Sequence, residues 1–448
     1  MAFFGIPALL IGTGAILIIS TAVGAVALHI GAVTRQMEYH TALVVLTILQ
    51  GVVFAPAVFY VWRWRPQPGI SARRTLLFIL GVAAVLNLLP LFSQPHSTDI
   101  YRYVWDGRVQ NAGINPYLYF PEHPAVEHLR DPFVYEGINR KEYLRTMYPP
   151  GAQVVFAAAA NLSDTLTMMK VVMIGFQALA IWAVLALLAA RGLPSVLVLA
   201  LAWHPLAVWE VAGSGHIDIV ATALMMLAIV AADRGRQGAA GAALAFAFSA
   251  KLFPLVVAPA LWRRWDWKMP AAFIATVVAL YAVYLFGAGE KVFSSLATYA
   301  GEEGLSSGVG MLLAAVIWHL GFVDAAVPIF LIVALAVLGT LAWRTTFRTE
   351  PEKLDLRGAF LLVATFTVLI SPHHAWYLLW LIPFLCVFQS AAVLYLTIAA
   401  VALYRVGWPP SLVGAAFLYV PFFILLILEN SRFFAVREAS DERVRVGS

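Results

Sequence analysis

The sequence predicts an all-α polytopic membrane protein with about 12–14 transmembrane helices and one long external loop containing amphipathic helix. Three observations lead there. The chain is 62% hydrophobic and only 12% charged. Its mean hydropathy is +0.84. Apolar runs recur along its whole length, separated by short basic loops. A soluble domain carries about a quarter charged residues, and no single core hides this much apolar surface from water. The net charge is +5, but the basic residues sit between apolar runs, as in cytoplasmic loops of membrane proteins, so no nucleic-acid partner is expected. Cys386 is the one cysteine, which excludes a disulfide framework and cysteine-based metal sites.

The first apolar run extends from Phe3 to about Ile30. No Lys or Arg precedes Arg35, so this run reads as a transmembrane helix rather than a cleavable leader. Further runs lie near 41–62, 76–92, 168–190, 195–212, 217–232, 270–287, 322–343, 358–371, 376–389, 391–405 and 411–429. Several are shorter than the roughly 20 residues of a full span. The loop with Arg63, Arg65, Arg73 and Arg74 is the most basic short loop. Placing it in the cytoplasm puts the N-terminus inside and residues 93–150 outside. Residues 238–262 have basic residues on both flanks and read as a hairpin of two short helices. Its break falls at Lys251-Leu-Phe-Pro254, where proline removes a backbone donor. Arg344, Arg348, Lys353 and Arg357 then also face inward, with the tail 431–448 that carries Arg437, Arg443 and Arg445. The expected organisation is a single transmembrane catalytic domain, 1–448, with both termini cytoplasmic. Four polar segments gather on its outer face: 93–150, Gly213–Asp218, 288–308 and Ser371–Tyr377.

Residues 93–150 are too long for a passive connector. The spacing predicts a helix with Asp99, Arg102, Tyr103 and Asp106 on one face, capped by Ser97 or Thr98. Gly113, Asn115 and Pro116 mark its end. The bland reading is an interfacial helix anchored by Tyr101, Trp105 and Tyr117. The functional reading makes Asp99 a catalytic carboxylate and Asp106 a second one, with Arg102 and Arg108 holding an anionic group. Other ionisable residues interrupt apolar runs: His204 and Glu210, then His216 and Asp218, then Lys251, then His373 and His374 beside Trp376 and Tyr377. Such residues are expensive at membrane depth and face a cavity or a partner. His96, Asp99, His216, Asp218 and His373 are metal-ligand types, which makes a divalent metal a candidate cofactor, but no H-E-x-x-H spacing supports it.

The stretch Asp99-Ile-Tyr-Arg-Tyr-Val-Trp-Asp-Gly-Arg108, then Gly113-Ile-Asn-Pro-Tyr117 and Tyr148-Pro-Pro150, resembles the first large external loop of GT-C-fold glycosyltransferases. The closest likeness is to glycosyltransferase family 87 and the related bacterial alpha-1,6-mannosyltransferases. His204-Pro205, Gly215-His-Ile-Asp218, Lys251-Leu-Phe-Pro254 and Ser371-Pro-His-His-Ala-Trp-Tyr377 extend it over most of the chain. The resemblance implies a GT-C-like bundle in the bacterial inner membrane and an extracytoplasmic active site. It also implies a polyprenyl-phosphate-linked sugar donor, with mannose as the sugar, and a glycan or glycolipid acceptor. An acidic residue of the first loop acts as base, and by position this is Asp99. The tight Asp-Asp or Glu-Asp pair of some relatives is missing, since Asp106 lies seven residues on.

The chemistry of the residues agrees. An acceptor hydroxyl attacking an anomeric carbon needs a base. A phosphate leaving group needs cations rather than an acid. Arg102, Arg108, Lys251, His373 and His374 are the candidate cations, and His216, Asp218 and Tyr377 complete the expected substrate-binding set. Two rivals remain: a transporter or flippase for a lipid-linked or anionic substrate, and a non-catalytic partner of a polysaccharide synthase. The long external loop and the lack of internal duplication speak against transport.

Overall fold

The computed structural model describes residues 2–31, 36–65, 67–293, 326–350, 353–406 and 412–429. Most of the expected outer segment 288–308 lies outside the described residues. So does the tail 431–448, including Arg437, Arg443 and Arg445. The protein is an all-α polytopic membrane protein. Among the described residues the only strands form a short hairpin, Ala2–Phe3 paired with Ile6–Pro7.

Five described helices are long and apolar enough to cross a bilayer: Ala8–Ile30, Tyr39–Trp62, Leu166–Ala190, Lys268–Ala288 and Pro328–Thr346. Their outer faces show why these runs lack amphipathic period. Ile16, Ile19, Val23 and Val26 of the first, and Val283 and Phe286 of the fourth, are exposed apolar side chains that a bilayer covers. The run expected at 195–212 is not one straight span. It is a pair, Ser195–Ala202 and Pro205–Gly213, bent by 56°. Pro205 starts the second piece, where it can donate no hydrogen bond back across the break. The second piece ends in a π-helical turn, Val208–Gly213. Shorter apolar helices of 10–17 residues include Gln237–Ala250, Leu356–Ile370 and Leu412–Leu428. The run at 376–389 folds as a 3-10 helix, Ala375–Cys386, with Pro383 inside it.

The chain divides into two compact units, one comprising Met1–Gln94, Ala178–Gly213 and His374–Ser448, the other Pro95–Gln177 and Ser214–His373. In the first, helix α1 (Ala8–Gly31) packs on α2 (Gln36–Trp62) and α3 (Ala72–Leu88). Polar side chains tie it together at membrane depth. Trp209 Nε1 donates to Gln50 Oε1 at 2.9 Å, and Gln50 Nε2 donates to Ser20 Oγ at 3.0 Å and Thr21 Oγ1 at 2.9 Å. Glu210 accepts from the Tyr404 hydroxyl at 3.0 Å. A hydrogen-bonded Glu is how a buried carboxyl is tolerated in such a setting.

The second unit is built around α4 (Asp99–Asn111), α5 (Pro150–Leu162), α6 (Leu166–Ala190, to Gln177 in this unit), α9 (Asp218–Asp233), α10 (Gln237–Ala250) and α12 (Lys268–Ala288). Helix α10 packs between α9 and α12, and α4 lies on α5. Two glycines set these distances. A Cβ on Gly107 of α4 would overlap the Phe156 carbonyl of α5, and one on Gly151 of α5 would sit 2.6 Å from the Ser249 carbonyl carbon of α10. The hairpin expected over 238–262 is broken where the sequence places it. Helix α10 ends at Lys251, whose backbone is extended, and the chain resumes as a 3-10 turn at Phe253–Val257.

Candidate active site

Helix α4 starts at Asp99, just after the turn that follows α3. Ser97 Oγ accepts the Asp99 N–H at 3.3 Å, and Thr98 Oγ1 accepts from Asn139 Nδ2 at 2.9 Å. Its first-turn carboxylate is where the helix dipole favours negative charge. The helix ends as Gly113 turns back with φ +76°. Trp105 and Tyr117 are each only 1% exposed, so they are core residues rather than interfacial anchors.

Asp99 is half-buried, and among the described residues no side chain donates to its carboxylate. One helical turn on, Tyr103 is fully buried, stacked on Phe156 at 4.5 Å and edge-on to Tyr148 at 4.9 Å. Burial, then the charges of Asp99 and Asp218, hold its phenol well above the usual tyrosine range, against hydrogen bonds from Tyr148 and the Ile217 backbone. Tyr103 therefore stays a neutral hydroxyl between two carboxylates. Asp218 opens α9 and is fully buried. It accepts from Lys251 Nζ at 2.9 Å, while a fifth of the Lys251 side chain stays accessible.

The loop Gly213–Asp218 is held against this cluster. Ser214 Oγ accepts the His96 N–H at 3.0 Å. The His96 and His216 rings lie 6.3 Å apart, and both are buried. Gly215 has φ +71°, and a Cβ there would meet Ile100 Cδ1 at 2.6 Å. Only glycine fits both the turn and the contact. The second unit thus gathers His96, Asp99, Tyr103, His216, Asp218 and Lys251.

Asp106 and Arg102 have a different setting. Arg102 Nε donates to Asp106 Oδ1 at 2.9 Å, and its Nη1 donates to the Leu144 carbonyl at 3.0 Å. The other Asp106 oxygen accepts from Gln153 Nε2 at 2.9 Å. Gln153 also bonds Thr146 and Gln110, and Gln110 accepts from the Tyr284 hydroxyl at 2.9 Å. Both members of the pair are nearly inaccessible, with 3% and 2% of their side chains exposed. Arg108 is held by Asp131 and, at 2.9 Å, by Asp164. Burial tends to raise the Asp131 pKa, but Arg108 and the backbone N–H groups of Val134 and Phe133 hold it below the usual carboxylate range.

His373 closes the second unit, whereas His374 and Tyr377 belong to the first, where His374 stacks on Trp376 at 4.3 Å. Among the described residues no three His, Cys, Asp or Glu side chains gather as a metal would require. His96, Asp99, His216, Asp218 and His373 therefore do not come together as one ligand set among the described residues. Sequence reasoning missed Lys170, and it placed Tyr103 on the face of Asp99 without giving it a part in the site. Lys170 lies in α6, 1% exposed, with its Cγ 3.4 Å from where a Gly215 side chain would begin. It lies near the start of a long apolar helix, where lysines usually reach the interface. Its i, i+7 partner Gln177, buried on the same face, was the available signal.

A family model described as glycosyltransferase family 87 matches residues 146–372. The chain belongs to glycosyltransferase family 87. This family-87 protein is a glycosyltransferase carried by an integral membrane scaffold, with sugar donor, acceptor and lipid as its partners. The matched region contains Lys170, His216, Asp218 and Lys251, begins after α4 and ends one residue before His373. Neither curated proteins nor solved structures gave a match.

Proposed function

We propose that this glycosyltransferase moves a hexose, mannose in the first instance, from a polyprenyl-phosphate donor to a hydroxyl of a membrane-associated or extracytoplasmic acceptor. The observation that carries the reading is that the half-buried Asp99 and Asp218, the partner of Lys251, both act on the Tyr103 hydroxyl. In one displacement the acceptor oxygen bonds to the anomeric carbon as the bond from that carbon to the phosphate oxygen breaks. The acceptor proton passes to Asp99, and the polyprenyl phosphate leaves as an anion. The sugar inverts, because a single carboxylate acts as base and no nucleophile of the protein intervenes. Lys251, oriented by Asp218, is the cation nearest to hand for the leaving phosphate. His216 and His96 line the same cluster, and His373 of the same unit is the further substrate-binding candidate, whereas His374 and Tyr377 belong to the other unit. Arg102 and Asp106 serve the scaffold that holds α4 in place. A GT-C-like bundle in the bacterial inner membrane, with the site outside and both termini in the cytoplasm, is the arrangement that fits a lipid-borne donor.

The test uses purified full-length protein, radiolabelled polyprenyl-phosphate sugars of several hexoses and a membrane lipid extract. Transfer to a new glycolipid from the mannosyl donor is expected. Asp99→Asn should lose at least about a hundredfold in turnover with unchanged melting behaviour. Near-normal turnover in that variant would overturn the base assignment. No transfer from any donor, with uptake into vesicles instead, would overturn the donor and the reaction.

A further inference from the structure

The first unit carries a basic feature that sugar transfer does not use. Residues 39–98 contain no Asp or Glu, yet they hold Arg63, Arg65, Arg73 and Arg74. Where α2 ends, a cleft of about 440 Å³ opens. Its floor is Leu9, Pro56 and Phe59, and its rim is Arg63, Arg65 and Gln67. Tyr60 and Trp64 form the wall between, with their rings 6.0 Å apart and edge-on. Leu9 and Phe59 are exposed, by 44% and 37%, on helices long enough to span a bilayer, so the floor faces lipid tails. Arg63 and Arg65 are exposed, and among the described residues neither meets a carboxylate. The same boundary holds the N-terminal hairpin. Ser71 N–H donates to the Gly5 carbonyl at 2.9 Å, and Arg74 Nη1 donates to the Phe4 carbonyl at 3.2 Å. That fastening leaves the Phe4 ring 89% exposed at the height of the arginines.

An apolar floor, an aromatic wall and an uncompensated arginine rim, stacked along the end of a span, match the layers of one molecule. We propose that this cleft binds an anionic phospholipid, with its phosphate between Arg63 and Arg65 and an acyl chain against Leu9, Pro56 and Phe59. A soluble anion would leave the apolar floor unused. A zwitterionic lipid would bring a cation against the arginines. This inference is independent of the transfer reaction and of Asp99.

The test is native mass spectrometry of the full-length protein released from mixed phosphatidylglycerol and phosphatidylcholine micelles. The wild type should retain one phosphatidylglycerol in preference to phosphatidylcholine. Arg63→Gln with Arg65→Gln should reduce that adduct roughly tenfold or more, given the contribution of each basic residue near an anionic surface. Arg63→Lys with Arg65→Lys should keep most of it. A melting scan in phosphatidylcholine alone shows whether the glutamine variant is folded. Added phosphatidylglycerol should then raise the wild-type midpoint and not the variant's. Equal retention by wild type and glutamine variant would overturn the proposal. So would equal retention of both lipids, or retention of added polyprenyl phosphate in place of phosphatidylglycerol.

Discussion

Arg102–Asp106 and Lys251–Asp218 are built from the same chemistry in the same unit, and they differ in what is left over. In the first pair both carboxylate oxygens are spoken for, one by Arg102 and one by Gln153, and neither side chain reaches solvent. In the second the carboxylate is sealed, while 20% of the lysine side chain is accessible. A closed pair fixes geometry. A partly accessible lysine held by a buried carboxylate is positioned and still within reach of solvent. The two aspartates that the sequence offered as catalytic carboxylates therefore sit differently: Asp106 is closed by Arg102 and Gln153, while Asp99 at the start of α4 is half-buried.

The comparison can be broken most sharply at Lys251. Lys251→Met should lower transfer by about a hundredfold or more, the cost typical of removing a charge-stabilising donor, while Lys251→Arg should recover much of it. Equal loss in both variants would assign the lysine to folding. Asp106→Asn should act the other way. It leaves Arg102 buried without its anion, at about 3 kcal/mol of stability, with transfer per folded molecule near wild type. A thermal melt and a specific-activity assay on the same sample separate the two effects. Gly215→Ala should cost about 1–3 kcal/mol through its left-handed backbone, together with a clash at Ile100. It should reduce activity along with stability, because the loop it distorts carries His216 and Asp218. The smallest effect is at Asp131. Its folded pKa is depressed, so the stability it adds is present above the unfolded carboxylate value and is lost as pH falls through the folded one. Asp131→Asn should therefore remove less than about 1 kcal/mol near neutrality, a difference that vanishes in acid. A pH series of melting midpoints on both proteins checks the sign.

Much of this was legible because it was local. The end of α4 before Gly113 and the break at Lys251 follow from glycine or proline within a few residues, whereas the Thr98 side chain does not cap the start at Asp99. The ionisable residues that interrupt apolar runs were visible for the same reason. What stayed hidden was pairing at a distance. Nothing in the order of residues says that Asp106 is closed by Gln153, 47 positions away, or that Lys251 closes on Asp218 rather than on a substrate. The bend at Pro205 was missed because a proline can also sit inside a single straight span, as Pro56 does in α2. Lys170 escaped because a lysine at a helix end is usually solvated, and only the packing of α6 shows that this one is not.

The glycine contacts of α4 and of the loop that follows it bear on how residues 99–149 move. Gly107 brings α4 against the Phe156 carbonyl, and Gly137 brings the connecting loop against the Tyr101 ring, each too close for any side chain to intervene. A segment fastened at both places has no hinge of its own, so its amide protons from Arg102 to Asn111 should exchange as slowly as those of a core helix.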